Sequence, residues 1–315
     1  MSGVRVSAPG SVMLLGEHAV LHGYRSVVCA IDRRMEVLLT PLRDRVLRID
    51  SALGGYESAL DELVDSDDFR FVIAAVASEQ AALPSGLEVR IRAEFGSDRG
   101  FGSSAAVTVC VHAALACWLE GGMPDPMRLY QMALETVQRV QGCGSGADVA
   151  ASVWGGCVGY TMEPRCEPVK WALPLTAVYC GYKRRTPEVI RWVEERFADE
   201  PERLANLYEQ MDGCAERGFE AIEARDEVAL GAAMVSQQRL MEALGLCTPE
   251  LAEIISKLEV DAGVVGAKIS GSGLGDCVVG VGHLTQVDVG YETYALAGDV
   301  TGCVQVVEAA DPVGA

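Results

Sequence analysis

The chain reads as an α+β protein of two domains. Its 315 residues are about twice the ~150 of an ordinary domain. Half of them are hydrophobic and 23% charged, enough apolar material for full cores and too little polarity for a disordered chain. Short strand-like runs are mixed with long helical stretches, and no repeating βαβ unit surrounds its glycine-rich turns.

Taken in order, Val4–Ser7 and Met35–Thr40 read as short strands. The acidic segment Glu57–Asp68 lies on the surface before an apolar helix, Phe69–Ala82. Leu87–Ala93 alternates as a strand, and helices follow at 103–119 and 126–141. The second opens with Asp125 as cap and Pro126 in the first helical position, and Gly142–Gly146 breaks it. Cys157–Met162 and Leu175–Cys180 read as strands, and a helix starts at Thr186-Pro187-Glu188. Residues 201–262 are helical, with a break at Gly245 and a new start at Thr248-Pro249. Val264–Ile269 and Cys277–Val281 are strands, 290–297 a helix and 302–308 a final strand. The prolines and charges of Met162–Val169 suggest a boundary, giving domains 1–165 and 166–315.

With 26 basic against 45 acidic residues the net charge is −19, which argues against a nucleic-acid partner because a phosphate backbone needs basic patches. The same acidity is awkward for any anionic substrate. Eleven cysteines without a CxxC pair read as reduced thiols used as small hydrophobes. Met1–Pro9 lacks an apolar export signal, so a cytoplasmic location is expected. Phe101–Leu119 carries no charge, but its Ser103, Ser104, Thr108 and His112 suit a buried helix better than a membrane span.

Many of the 34 glycines fall in three clusters. The first, Ala8–Gly23, contains Gly16-Glu17-His18: either a polar pair that bonds a hydroxylated or carboxylate substrate, or a plain strand turn. The second, Gly100-Phe101-Gly102-Ser103-Ser104-Ala105-Ala106, opens the uncharged helix. Free amides and a positive dipole end there suit a phosphate, and serine hydroxyls can reach a phosphate-bound Mg2+ or simply cap the helix. No Gly-Lys-[Ser/Thr] follows, so it is not a Walker A loop. The third, Lys268–Cys277, matches only the start of a dinucleotide fingerprint.

In this order the three clusters resemble the GHMP kinase superfamily, which includes galactokinase and the homoserine, mevalonate and phosphomevalonate kinases. The resemblance spans nearly the whole chain. Gly16–Val20 looks most like the mevalonate kinase branch, and Leu240–Ile255 resembles the helical pair before that branch's third motif. The fold implied is an N-terminal domain like ribosomal protein S5 domain 2 and a ferredoxin-like C-terminal domain, with ATP between them. The activity implied is ATP-dependent phosphorylation of the mevalonate 5-hydroxyl in isoprenoid precursor synthesis. Phosphomevalonate or a sugar is an alternative acceptor, and a catalytically weak nucleotide-binding regulator is the non-enzyme alternative.

Carried over by position, Gly100, Phe101, Gly102, Ser103, Ser104 and Ala105 form the ATP phosphate loop, with Ser104 the Mg2+ contact. Ser145-Gly146-Ala147-Asp148 makes Asp148 the catalytic base, Glu17 and His18 face the mevalonate end, and Gly271 and Ser272 shape the substrate side. ATP and a small hydroxylated carboxylate are the expected partners, and a homodimer is left open. Two departures stand out. Ser11 occupies the position of a lysine thought to assist the aspartate, and Val137 occupies that of the acidic Mg2+ ligand, with Glu135 the nearest carboxylate. Lys183-Arg184-Arg185, a rare basic run, reads either as a holder of substrate phosphate or as solvated loop charge.

Overall fold

The computed structural model describes residues 3–96, 99–163 and 165–306. Twelve strands and eight α-helices among them form two sheets, each covered by helices.

The larger sheet begins with two long antiparallel strands, β1 (Val4–Leu15) and β2 (Ser26–Leu42). β1 continues well past the expected Ser7, straight through the first glycine cluster. Pro9, which has no N–H for a ladder, is accommodated because the register shifts between Pro9 and Gly10. The hairpin of β3 (Val46–Ser51) and β4 (Gly54–Ala59) precedes α1 (Arg70–Glu79). β5 (Gly86–Ala93) pairs with β2 and, in parallel, with β3.

The uncharged segment becomes α2 (Ser103–Glu120), the one helix among the described residues long and apolar enough to cross a membrane; 72% of it is buried inside the fold. It packs against β1, β2, α1 and α3 (Pro126–Gln141), which explains why it is apolar all round. Asp125 caps α3 as the sequence indicates, its Oδ1 accepting from the amides of Met127 (2.9 Å) and Arg128 (3.3 Å). Asp125→Ala should lower stability by about 1 kcal/mol in urea denaturation while leaving the distant cleft untouched. After the glycine break comes a short helix absent from the sequence reading, α4 (Ala147–Trp154).

β6 (Cys157–Thr161) pairs with β2 and with β7 (Arg165–Val169), so the segment read as a linker is a hairpin of the large sheet. The boundary expected at 165/166 therefore falls inside the first domain, and the chain crosses over at 170–173. The smaller sheet holds β8 (Pro174–Tyr179), β9 (Val264–Ser270), β10 (Cys277–Gly282) and β11 (Glu292–Ala297), in the spatial order β11-β8-β10-β9. That order, and its antiparallel pairing, is that of a ferredoxin-like sheet.

Residues 290–297, expected to be helical, are this edge strand: Tyr294 and Leu296 turn inward two residues apart while Glu292, Thr293 and Ala295 are exposed. Four helices instead fill the connection from β8 to β9: α5 (Thr186–Arg196), α6 (Pro201–Ala224), α7 (Glu227–Ala243) and α8 (Pro249–Glu259). Thr248 caps α8, but Thr186 lies inside α5 and Arg185 precedes it without a side-chain cap. The chain then returns to the large sheet, where β12 (Val304–Gln305) pairs with β1; the rest of the expected strand, from 307, lies outside the described residues.

Candidate active site

Between the two sheets lies a cleft of about 710 Å³, and all three glycine clusters reach it. β1 forms its floor. Ser11 on that strand is fully buried, and its hydroxyl donates to Asp148 Oδ1 at 2.7 Å. The backbone behind it is fixed from both sides: Ser11 N–H donates to the Phe101 carbonyl, and the Ser152 hydroxyl donates to the Pro9 carbonyl at 2.9 Å. Asp148 sits in the first turn of α4, where the helix dipole favours its charge. The glycine turn before it is braced by the buried hydroxyl pair of Tyr130 and Tyr160, 2.7 Å apart.

Burial pushes the Asp148 carboxyl above the ordinary carboxylate range. The Ser11 hydrogen bond and the charge of Lys183 pull it back, while Glu17 pushes it further up. Ser11 therefore acts from behind the carboxylate, outside the lining of the cleft.

Across from Asp148, the second cluster ends in the N-terminus of α2. Gly100 (φ 67°) and Gly102 (φ 64°) both take the left-handed conformation, and a Cβ on Gly102 would overlap the Ser11 hydroxyl. Gly100, Gly102, Ser103, Ser104 and Ala105 line the cleft. Phe101 turns the other way: it is 1% exposed and packs edge-on against Phe95 and Tyr294, anchoring the loop instead of touching a ligand.

Glu17 and His18 follow the end of β1 and line the cleft. Glu17 is buried; Lys268 forms an ion pair with its Oε1, and Gln237 Nε2 donates to its Oε2 at 3.2 Å. Lys268 was not singled out in the sequence, although it opens the third cluster. His18 (φ 61°) meets the Ser272 carbonyl through Nε2 at 2.8 Å. A carbonyl only accepts, so Nε2 carries the proton and Nδ1 is the acceptor in the neutral ring. Burial lowers the His18 pKa, only partly offset by Ser272 and Glu17, so the neutral ring prevails at pH 7. Gly271 and Ser272 line the same wall. The Ser270 hydroxyl bonds both the amide and the carbonyl of Met13 at 3.1 Å, joining the third cluster to the first.

Glu135 does not join them. It lies exposed on α3 and outside the lining of the cleft, whereas Val137 and Gln141 of that helix line it; two positions along a helix turn a side chain by roughly 200°. What the sequence reading did not foresee is a pair on the opposite rim. Lys183 Nζ lies 3.0 Å from Asp276 Oδ2, and both residues line the cleft. Asp276 Oδ1 is buried without a hydrogen-bond partner among the described residues, at the place where a Cβ on Gly100 would overlap it. Burial raises the Asp276 pKa against the pull of Lys183. Burial also works against the Lys183 charge, but Asp276 and Asp148 together raise its pKa.

Family models describe the same organisation. The GHMP kinases N-terminal domain matches residues 70–156, the GHMP kinases C-terminal domain residues 219–293, and the galactokinase galactose-binding signature residues 2–41. The mevalonate kinase of Archaeoglobus fulgidus is 34% identical over 277 residues, 87% of this chain and 91% of its own length. That of Pyrococcus furiosus is 29% identical over 306 residues, 91% of each chain. The crystal structure of Methanococcus jannaschii mevalonate kinase superposes with a TM-score of 0.78 at 19% identity, covering 94% of this chain and 98% of the other. With these relatives, the cleft lined by the start of α2 and by Asp148 is that of an ATP-dependent phosphotransferase with an alcohol group as acceptor. The chain belongs to the GHMP kinase family and is mevalonate kinase-like.

Proposed function

We propose that the chain transfers the γ-phosphoryl group of ATP to the 5-hydroxyl of mevalonate, with Asp148 as general base. The observation that carries this is the placement of Asp148: Ser11 occupies one carboxylate oxygen, leaving the other for a substrate hydroxyl opposite the α2 N-terminus. The hydroxyl proton passes to Asp148 as the oxygen attacks the γ-phosphorus. The bond to the bridging oxygen breaks, and ADP departs with that electron pair. Amides at the start of α2 hold the phosphates, and the apolar wall of Leu53, Phe71, Val72, Ile91 and Phe95 suits the base. His18 Nδ1 is an acceptor for a second substrate hydroxyl.

The donor set suits a Mg2+ that arrives on the nucleotide. Among the described residues no trio of His, Cys, Asp or Glu could hold a metal by itself, but the Ser104 side chain lies at the phosphate end of the cleft. Ser104 would hold the ion together with phosphate oxygens, where its charge offsets that of the triphosphate. The eleven free thiols suit a cytoplasmic enzyme.

ADP release measured separately with mevalonate, phosphomevalonate and galactose tests the assignment. Turnover with mevalonate at a kcat/KM at least tenfold above the other two is expected. Preference for phosphomevalonate would assign Arg185, which lines the cleft beside Lys183, to the extra phosphate. ATP binding without turnover on any of the three would overturn the enzymatic reading.

A further inference from the structure

Ser11, behind Asp148, brings no positive charge to a site that must gather a triphosphate and a carboxylate in a chain of net charge −19. The side chains lining the cleft include three formal cations, Arg70, Lys183 and Arg185. Of these, Lys183 is the one that acts on Asp148, and it comes from the other domain, on the loop that follows β8. Its seat is built. The Cys180 amide donates to the Asp276 carbonyl at 3.0 Å, and the Asp276 amide donates to the Tyr182 carbonyl at 2.8 Å, zipping the lysine loop to the third glycine turn. Asp276 is left-handed (φ 75°) after Gly275 (φ 143°), a conformation that aspartate tolerates better than most residues. Its carboxylate lies against Gly100 of the phosphate loop. The ammonium group is thereby held on a carboxylate that lies against the phosphate loop, in the cleft that Asp148 also lines and with its charge felt there.

We propose that Lys183, seated on Asp276, is a positioning residue that supplies from the C-terminal domain the fixed positive charge beside Asp148 which serine at position 11 does not. This rests on the reading of Asp148 as the base. The groups that act on Asp148 are Ser11 and Glu17 from the first cluster, Lys183 from the β8 loop and Asp276 from the third. Lys183 is the cation among them. It favours the ionised carboxylate that burial, Glu17 and Asp276 disfavour.

The test uses the full chain with ATP, Mg2+ and the acceptor found by ADP release, comparing Lys183→Met, Lys183→Arg, Lys183→Met with Ser11→Lys, and Asp148→Asn. Lys183→Met should lower kcat/KM about 100-fold and move the acid limb of its pH profile to higher pH. Lys183→Arg should keep both near their original values, and the added Ser11→Lys should recover at least tenfold of the loss. The Lys183 side chain is 39% exposed, so thermal melts should show Lys183→Met and Lys183→Arg folded.

An unchanged rate and acid limb in Lys183→Met, with Asp148→Asn inactive, would overturn the proposal and leave the base assignment standing. A loss of rate without movement of the limb and without rescue would also overturn it, because that is the signature of a merely structural lysine. An active Asp148→Asn would instead remove the base reading on which the proposal rests.

Discussion

Asp148→Asn will lose about 10³-fold in kcat, and it will melt at a higher temperature than the parent chain. The first effect follows from proton transfer. Asparagine keeps the shape and can still accept from Ser11, but it cannot take the hydroxyl proton, and a positioned general base contributes roughly 10²–10⁴-fold. The second follows from the direction of the Asp148 shift. Its folded pKa is raised by burial, so between the unfolded and folded values the native state binds more protons than the unfolded chain does. Stability contributed by this group is greatest in acid, falls as pH rises through that window and stays reduced at neutral pH. The neutral amide escapes this penalty. Thermal melts from acid to neutral pH should show the parent losing ground to the variant; equal midpoints throughout would mean that the carboxylate costs the fold nothing.

Lys268→Met should destabilise the protein by about 3–5 kcal/mol, because it leaves Glu17 charged, buried and without its partner. Lys268 and Glu17 have 0% and 2% of their side chains exposed, and the ammonium also donates to the Ile269 carbonyl. Burial lowers the Lys268 pKa, and Glu17 opposes that effect. Adding Glu17→Gln should recover much of the loss in urea denaturation. A double-mutant cycle with no coupling would show that the pair is not a unit. Since Glu17 belongs to the first cluster and Lys268 to the third, the single lysine variant should also weaken acceptor binding, visible as a raised KM.

The parts of this molecule that local chemistry specifies could be read without a structure. Asp125-Pro126 marks the start of α3 because a cap and a fixed φ act within one turn, and α2 is delimited by Gly102 and Gly121 at its ends. The strands β3, β4, β7 and β11 escaped because their side chains are half exposed, and tertiary pairing defines them more than sequence alternation does. In the site, glycines and polar residues could be located but their partners could not. Ser11 and Asp148 are 137 positions apart, and Lys183 meets Asp276 through backbone bonds between two loops nearly a hundred residues apart. Glu135 failed for a simpler reason: the position that faces the cleft on α3 is fixed by helix phase, and nearness in sequence does not supply it.

The chain enters the smaller domain at 170–173 and leaves it through Gly298, whose amide donates to the Leu173 carbonyl at 2.9 Å. Beyond that crossing the return strand is fastened to the large sheet, with the Asp299 amide on the Ala30 carbonyl and the Gly156 amide on the Asp299 carbonyl. The two crossings therefore lie side by side, tied to each other at Leu173 and Gly298. A single linker would allow the domains to swivel. Here the outgoing and returning segments hold the smaller domain at two adjacent points, so its rotation about either segment is opposed by the other.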